Sequence, residues 1–309
     1  MEQRLLLILN PCAGVKRANR LLPEILRLLA DRGFECTVYV TAGPGDATVY
    51  LRTHASKYDR VICIGGDGTL NETVEGVAEA GADCPIGYIP AGTTNDYASS
   101  LSLSTDILQA AADAADGVAY EFDIGAFNGR KFIYTASCGA FAKASYTTPQ
   151  AAKNVLGHLA YILEGIRDLP SVKPIHVHAE CDERTIDGEY LFCAVTNSLS
   201  VGGILKLDPR KVCLNDGMFE VLMVKNPTSP ADLPQILAAL NSSNLPNERI
   251  DFFSTAKLRI TTAEDVEWTL DGERGDCGTE FEIVNLPRRM KLILPEAAAN
   301  IPAEAPDAE

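Results

Sequence analysis

Residues 65–72 read GGDGTLNE. The stretch before them, DRVICI at 59–64, is a short apolar run rich in β-branched residues and reads as a buried strand. The stretch after the glycines, TLNETVEGVAEA at 69–80, sets Leu70, Val74 and Val77 at helical spacing. GGDGT is therefore a strand-to-helix turn. Glycines there let backbone N–H groups approach an anion closely, and the helix that follows adds the positive end of its dipole. Phosphate is the expected guest.

The same alternation extends outward. RLLLILN at 4–10 reads as a strand, and the segment 18–34 carries a helical stripe through Leu21, Leu22, Ile25, Leu28 and Leu29 that stops near Gly33. ECTVYV (35–40) is a second strand, GDATVYLRTHAS (45–56) a second helix, RVICI (60–64) a third strand and PIGYIP (85–90) a fourth. Strands and helices in alternation predict a doubly wound parallel α/β domain, placed at residues 1–123. Such a sheet binds ligands at the carboxyl ends of its strands. Four turns belong to that edge: NPCAG at 10–14, TAGPGDA at 41–47, GGDGTLNE at 65–72 and PAGTTNDYA at 90–98. Thr69, Asn71, Thr93 and Asn95 bring hydroxyl and amide groups to it. Asp67 would repel phosphate there unless Mg²⁺ or a set of hydrogen-bond donors stands between them.

After Asp123 the style changes to short β-branched or aromatic runs: KFIYTASCG (131–139), IHVHAE (175–180), EYLFCAVTNS (189–198), RKVCLNDGMFEVLMV (210–224), KLRITT (257–262), VEWTLDG (266–272), EFEIV (280–284) and MKLIL (290–294). These predict a larger, mostly antiparallel, β-sandwich-like domain over 124–295, with helices only near 150–169 and 231–241. Residues 296–309, rich in Ala, Pro and acidic groups, read as a disordered tail.

The composition narrows the functions. The chain has 309 residues, 46% of them hydrophobic and 22% charged, as a globular protein has, with no apolar run near the eighteen or so residues that span a bilayer. A net charge of −15 argues against a nucleic-acid binder and offers no broad attraction to anionic lipid, and the basic cluster PRRMK (287–291) reads as a solvated strand face. Nine scattered cysteines without ligand spacing read as buried thiols of a reducing, cytoplasmic compartment. His176 and His178 alternate along one strand face, Trp268 reads as core, and Lys16 and Arg17 follow the first glycine turn. Neither GxxxxGK[ST] nor GxGxxG occurs.

GGDGTLNE, with NPCAG, PAGTTNDYA, LNDGMFEVLMV (214–224) and TLDGE (269–273) in this order, resembles the diacylglycerol kinase catalytic-domain family, which includes bacterial lipid kinases and the sphingosine and ceramide kinases. The resemblance spans about residues 4–294; Thr94 stands where the family often has Gly. NAD kinases and phosphofructokinases carry turns related to GGDGT alone.

The resemblance implies an ATP site in a cleft between the two domains, lined by Asn10, Pro11, Cys12, Ala13, Gly14, Thr41, Gly65, Gly66, Asp67, Gly68, Thr69, Leu70, Asn71 and Thr93. It makes the 271–273 turn catalytic, with Glu273 favoured as base and Asp271 positioning it or holding metal. Asp67, Asp123, Asp271 and Glu273 would surround a nucleotide-bound Mg²⁺. A second, structural Mg²⁺ would take the Asp216 carboxylate and backbone oxygens of Cys213 and Met218. The function implied is ATP-dependent phosphorylation of a lipid hydroxyl, diacylglycerol first, by a protein without a transmembrane segment that touches the inner face of the membrane peripherally. Exposed sheet edges are compatible with a homodimer. The alternatives are a kinase of a soluble metabolite such as NAD and a catalytically silent lipid or nucleotide sensor.

Overall fold

The computed structural model describes residues 3–14, 17–93, 95–139, 173–201, 205–208, 210, 212–229, 232–242 and 245–296. The chain divides into two compact units, Met1–Asp123 with Pro287–Glu309, and Ile124–Leu286.

The first unit alternates as its sequence predicts: β1 (Gln3–Leu9), α1 (Arg17–Ala30), β2 (Phe34–Val40), α2 (Asp46–His54), β3 (Arg60–Gly65), α3 (Asp67–Glu79), β4 (Ile86–Pro90), α4 (Asp96–Ser100) and α5 (Ile107–Asp116), with the opening half of β5 (Val118–Phe127). The strands lie in the order β2–β1–β3–β4, all parallel, with Leu5 opposite both Cys36 and Arg60 and Val61 opposite Ile86. Both faces are covered, so β1 and β3 are nearly continuous apolar runs. Leu5, Leu7, Leu9, Ile62, Ile64 and Ile89 form one core with Ile25 and Leu29 of α1 and the alanines of α5. Each such aliphatic side chain taken out of water contributes about 1.5–3 kcal/mol. The chain winds from β1 outward to β2 and then back across to β3. The order thus reverses between β1 and β3, and the turns after these two strands share the switch point, where open α/β sheets bind ligands.

The second unit contains the end of β5, β6 (Arg130–Phe132), β7 (Thr135–Gly139), β8 (Ile175–Glu180), β9 (Thr185–Thr196), β10 (Ser200–Val201), β11 (Leu205–Lys206), β12 (Phe219–Lys225), α6 (Asp232–Ser242), β13 (Ile250–Thr255), β14 (Lys257–Leu270) and the first part of β15 (Glu273–Leu294). Its strands pair antiparallel in the order β13–β12–β9–β7–β14–β15. β7 and β8 lie end to end between β9 and β14: Gly139 faces Phe192, and Ile175 faces Tyr190. The core is aromatic, and Trp268, fully buried, packs 5.0 Å from Phe127 and 5.5 Å from Phe281 between ring centroids.

Several sequence expectations change. MKLIL was assigned to the second, antiparallel domain, but residues from Pro287 belong to the first unit, where Leu292 pairs in parallel with Ile86 and Leu292 and Leu294 are fully buried. KFIYTASCG splits at Ile133–Tyr134, and the strand expected over 210–224 begins only at Phe219, because Asn215–Asp216–Gly217 turns the chain. KLRITT and VEWTLDG merge into β14, and EFEIV and MKLIL into β15. The helix expected near 150–169 and the tail from 297 lie outside the described residues. Among the described residues no helix is long and apolar enough to cross a membrane.

Candidate active site

Three of the four glycine turns close on one another. Asn10 ends β1, and its side chain works in both directions: Oδ1 accepts the Cys12 N–H at 2.9 Å and Nδ2 donates to Thr69 Oγ1 at 3.0 Å, tying NPCAG to GGDGT. Pro11 is held through its carbonyl by Asn19 Nδ2 of α1, and the Ala13 N–H returns to the Asn10 carbonyl. Gly14 sits at φ +48°, and a Cβ there would strike the Ala91 carbonyl of the PAGTTND turn. The Gly65 carbonyl accepts the N–H groups of Ala91 (2.7 Å) and Gly92 (3.1 Å), and a Cβ on Gly92 would lie 2.5 Å from Gly66 Cα. Asn95, at φ +52°, locks that turn with reciprocal bonds to Gly92.

Asp67 opens α3 at the end where the helix dipole is positive. Its Oδ2 accepts the Asp96 N–H at 2.9 Å; longer contacts reach Tyr97 N at 3.4 Å and the Tyr88 hydroxyl at 3.5 Å. Of the two conditions expected for an aspartate beside phosphate, the structure supplies the donors. Burial first, and the Asp67 carboxylate next, push the Tyr88 hydroxyl well above its ordinary pKa, so Tyr88 remains a donor. Thr69 is nearly buried, Gly68 and Asn71 half-buried and Thr93 exposed; the Leu70 side chain is core.

The second turn behaves differently. Thr41, nearly buried, donates its N–H to the Leu9 carbonyl. Beyond it the amides are taken by the protein's own carboxylates. Ala42 N bonds Asp46 Oδ2 at 2.7 Å, Gly45 N bonds Glu72 Oε1 at 2.7 Å and Ala47 N bonds Glu72 Oε2 at 3.3 Å. The amides of Ala42, Gly45 and Ala47 in this turn are thus bonded within the protein. No local pattern gives Glu72 a role, since its partners lie 25 and 27 residues away.

In the second unit, Asp271 and Gly272 (φ +51° and +79°) form the two-residue turn between β14 and β15, with both central residues at positive φ as tight hairpins need. The Asp271 carboxylate, 5% exposed, accepts the N–H groups of Ile133 (2.6 Å), Tyr134 (3.0 Å) and Thr135 (3.1 Å). Glu273 instead is exposed; its carboxylate faces Arg130 across 3.9 Å, and Arg130 also donates to the Arg274 carbonyl at 2.9 Å. These bonds tie the Asp271 turn to the Ile133–Thr135 backbone. Arg130 was missed because no local pattern marks a partner 144 residues distant.

The first unit matches the family described as the diacylglycerol kinase catalytic domain over residues 4–127. The rest matches the YegS C-terminal NAD kinase beta sandwich-like domain over 135–294. A diacylglycerol kinase of Bacillus subtilis is 35% identical over 96% of this chain and 98% of its own length. The chain belongs to the diacylglycerol kinase catalytic-domain family. A diacylglycerol kinase of Staphylococcus epidermidis is 33% identical over 97% of this chain and 95% of its own. A solved Bacillus anthracis chain aligns with a TM-score of 0.80 at 27% identity, covering 96% of each. A lipid kinase of this family takes its phosphate from ATP.

Asp123 is fully buried, and its Oδ1 accepts the Arg288 N–H at 2.8 Å. Asp216 is exposed, with Oδ1 accepting Met218 N at 3.0 Å across a turn whose Gly217 has φ +80°. Cys213 is half-buried with its thiol on Asn215 Oδ1, and the Met218 carbonyl accepts Asn285 Nδ2. One carboxylate and backbone carbonyls in a tight turn are a hard-oxygen donor set and fit Mg²⁺. Among the described residues no three His, Cys, Asp or Glu side chains come together as a metal cluster.

Proposed function

We propose that the protein phosphorylates diacylglycerol, moving the γ-phosphoryl group of ATP to the free hydroxyl to give phosphatidic acid. The observation that carries the reading is the contrast within the 271–273 turn: Asp271 is consumed by three backbone N–H groups, whereas Glu273 is presented at the surface. Glu273 accepts the hydroxyl proton as the lipid oxygen attacks the γ-phosphorus, and Asp271 with Arg130 holds the turn in shape. Asn10 to Gly14, Gly65 to Asn71 and Thr93 bind the phosphates, with Thr41 beside them. Asp67 keeps the PAGTTND turn seated on α3.

Mg²⁺ bound with the nucleotide would supply charge neutralisation for the transfer. The Asp216 carboxylate, with the Cys213 and Met218 carbonyls, would hold the structural ion. Because diacylglycerol resides in the bilayer, the enzyme works at the cytoplasmic membrane surface without spanning it.

The test is transfer of labelled phosphate from ATP to a panel of lipids in mixed micelles, with NAD as soluble control and Glu273→Gln in parallel. Label on diacylglycerol that disappears in the variant is expected. Label on NAD alone, or on no acceptor, refutes the proposal.

A further inference from the structure

The second glycine turn has the form of a phosphate loop, with Gly43, Gly45 and the start of α2, yet a protein group already sits where the anion would. Glu72 projects from α3, and its carboxylate bridges Gly45 N at 2.7 Å and Ala47 N at 3.3 Å. The N-cap of α2 is Gly45, at φ +80°, which has no side chain to cap the helix. The helices are pressed together beside this contact. A Cβ on Gly76 would meet Leu51 Cβ at 2.7 Å and Thr48 Cα at 3.0 Å, and Thr48 Oγ1 donates to the Glu72 carbonyl at 3.1 Å. Asp46 cannot take over, because its oxygens already accept Tyr39 OH at 2.9 Å and Ala42 N at 2.7 Å.

We infer that Glu72 is the resident anion of the 41–47 turn and a positioning residue for the nucleotide site. It does two things. It fills the one glycine turn that would otherwise attract a phosphate to the wrong place, restricting the nucleotide to the three turns joined through Asn10, Gly65 and Gly92. It also fixes Thr41 relative to α3, whose Thr69 lies one helical turn before Glu72 and bonds Asn10. Thr41 and the GGDGT turn are then held in register by one carboxylate. Both consequences for the nucleotide rest on the kinase reading; the filling of the turn by Glu72 does not.

The experiment compares wild type, Glu72→Ala and Glu72→Gln in sodium chloride and in sodium formate at equal ionic strength. It measures ATP KM and kcat in mixed micelles, ATP Kd by calorimetry and Tm. Glu72→Ala is expected to raise ATP KM and Kd about tenfold, the scale of losing charge-assisted bonds, with kcat within about twofold. Formate, a carboxylate small enough to fill the vacated position, restores much of the affinity and raises the Tm of Glu72→Ala but not of wild type. Glu72→Gln, with one acceptor oxygen, falls between and shows little formate effect. A lost helix contact alone would lower Tm without formate rescue, and that result overturns the inference, as does an unchanged ATP Kd. If wild type phosphorylates no lipid, the functional proposal fails, while Kd and the formate-dependent Tm still decide the role of Glu72. Should Glu72→Ala not fold in chloride, recovery of folded protein in formate supports the inference, and no recovery with a wild-type Kd in Glu72→Gln refutes it.

Discussion

Asp271→Asn separates the two acidic residues of the 271–273 turn. The native carboxylate, 5% exposed, accepts three backbone N–H groups at 2.6, 3.0 and 3.1 Å. Asparagine has one acceptor oxygen, and its amide nitrogen is a donor, so at least one of those N–H groups faces another donor. An unsatisfied buried N–H costs about 1–3 kcal/mol, and the remaining bonds lose their charge assistance, for a total of about 3 kcal/mol. Asparagine tolerates φ +51°, so backbone strain adds little. In a unit of this size that loss lowers Tm by roughly 6–12 °C. Glu273→Gln is the complement. Its side chain is 62% exposed and its ion pair spans 3.9 Å, so Tm stays within about 2 °C, while transfer falls about 10²–10⁴-fold. Thermal scans are read beside phosphate transfer measured well below the lower Tm. If Asp271→Asn keeps the wild-type Tm and loses transfer, or Glu273→Gln stays within threefold of wild type, the assigned division of labour is wrong.

Gly92→Ala should weaken ATP binding at least about tenfold and lower Tm, since its Cβ would lie 2.5 Å from Gly66 Cα and 2.6 Å from Asn95 Oδ1; calorimetry and a thermal scan check both. Arg60→Met should lower the unfolding free energy by about 1–3 kcal/mol, read as a lower urea midpoint at unchanged slope, because the half-buried guanidinium donates to the Ala114 (2.9 Å) and Ala115 carbonyls at the end of α5 and lies 5.1 Å over Phe34. Asp187, then Glu180, raises the His178 pKa by hydrogen bonding, with His176 sharing Asp187 and Thr261 across the strand. A raised pKa stabilises the fold below the unfolded histidine value of about 6.5 and ceases to do so as pH rises through the folded one. The Tm gap between wild type and Asp187→Asn should therefore be wider at about pH 5.5 than at pH 8.5, and an equal gap would contradict the pairing.

The α/β unit was legible because its signals are local. A buried parallel strand is an apolar run, the next helix shows a 3.6-residue period, and glycine marks the handover, as from Ile64 through Gly65 to Asp67. Strand partnership is a different kind of information. MKLIL has the same pattern whether it pairs antiparallel in the second unit or parallel with β4, and only the burial of Leu292 and Leu294 in the first unit decides. The same limit applies to the site. Glycine and threonine types announced the phosphate turns, but the acceptor of an N–H in one turn is a side chain many residues away. Glu72 on Gly45 and Asp271 on Ile133–Thr135 were for that reason visible only in the fold.

Those contacts change how the carboxylates of this acidic chain are to be read. A carboxylate near a nucleotide is commonly counted as a metal ligand, and the family resemblance implies that place for Asp67, Asp123, Asp271 and Glu273 alike. The three aspartates each accept backbone N–H groups of a segment far along the chain: Asp96 on Asp67, Arg288 on Asp123, and Ile133 to Thr135 on Asp271. An anion with amide dipoles pointed at it is partly compensated where it stands, which reduces its repulsion of an incoming phosphate. Asp67 can thus share a loop with the nucleotide while holding the neighbouring turn in place. Glu273 has a different environment, a cation at 3.9 Å and open solvent. Such a carboxylate keeps lone pairs that can accept a proton, and on that environment rests the proposal that Glu273 is the general base.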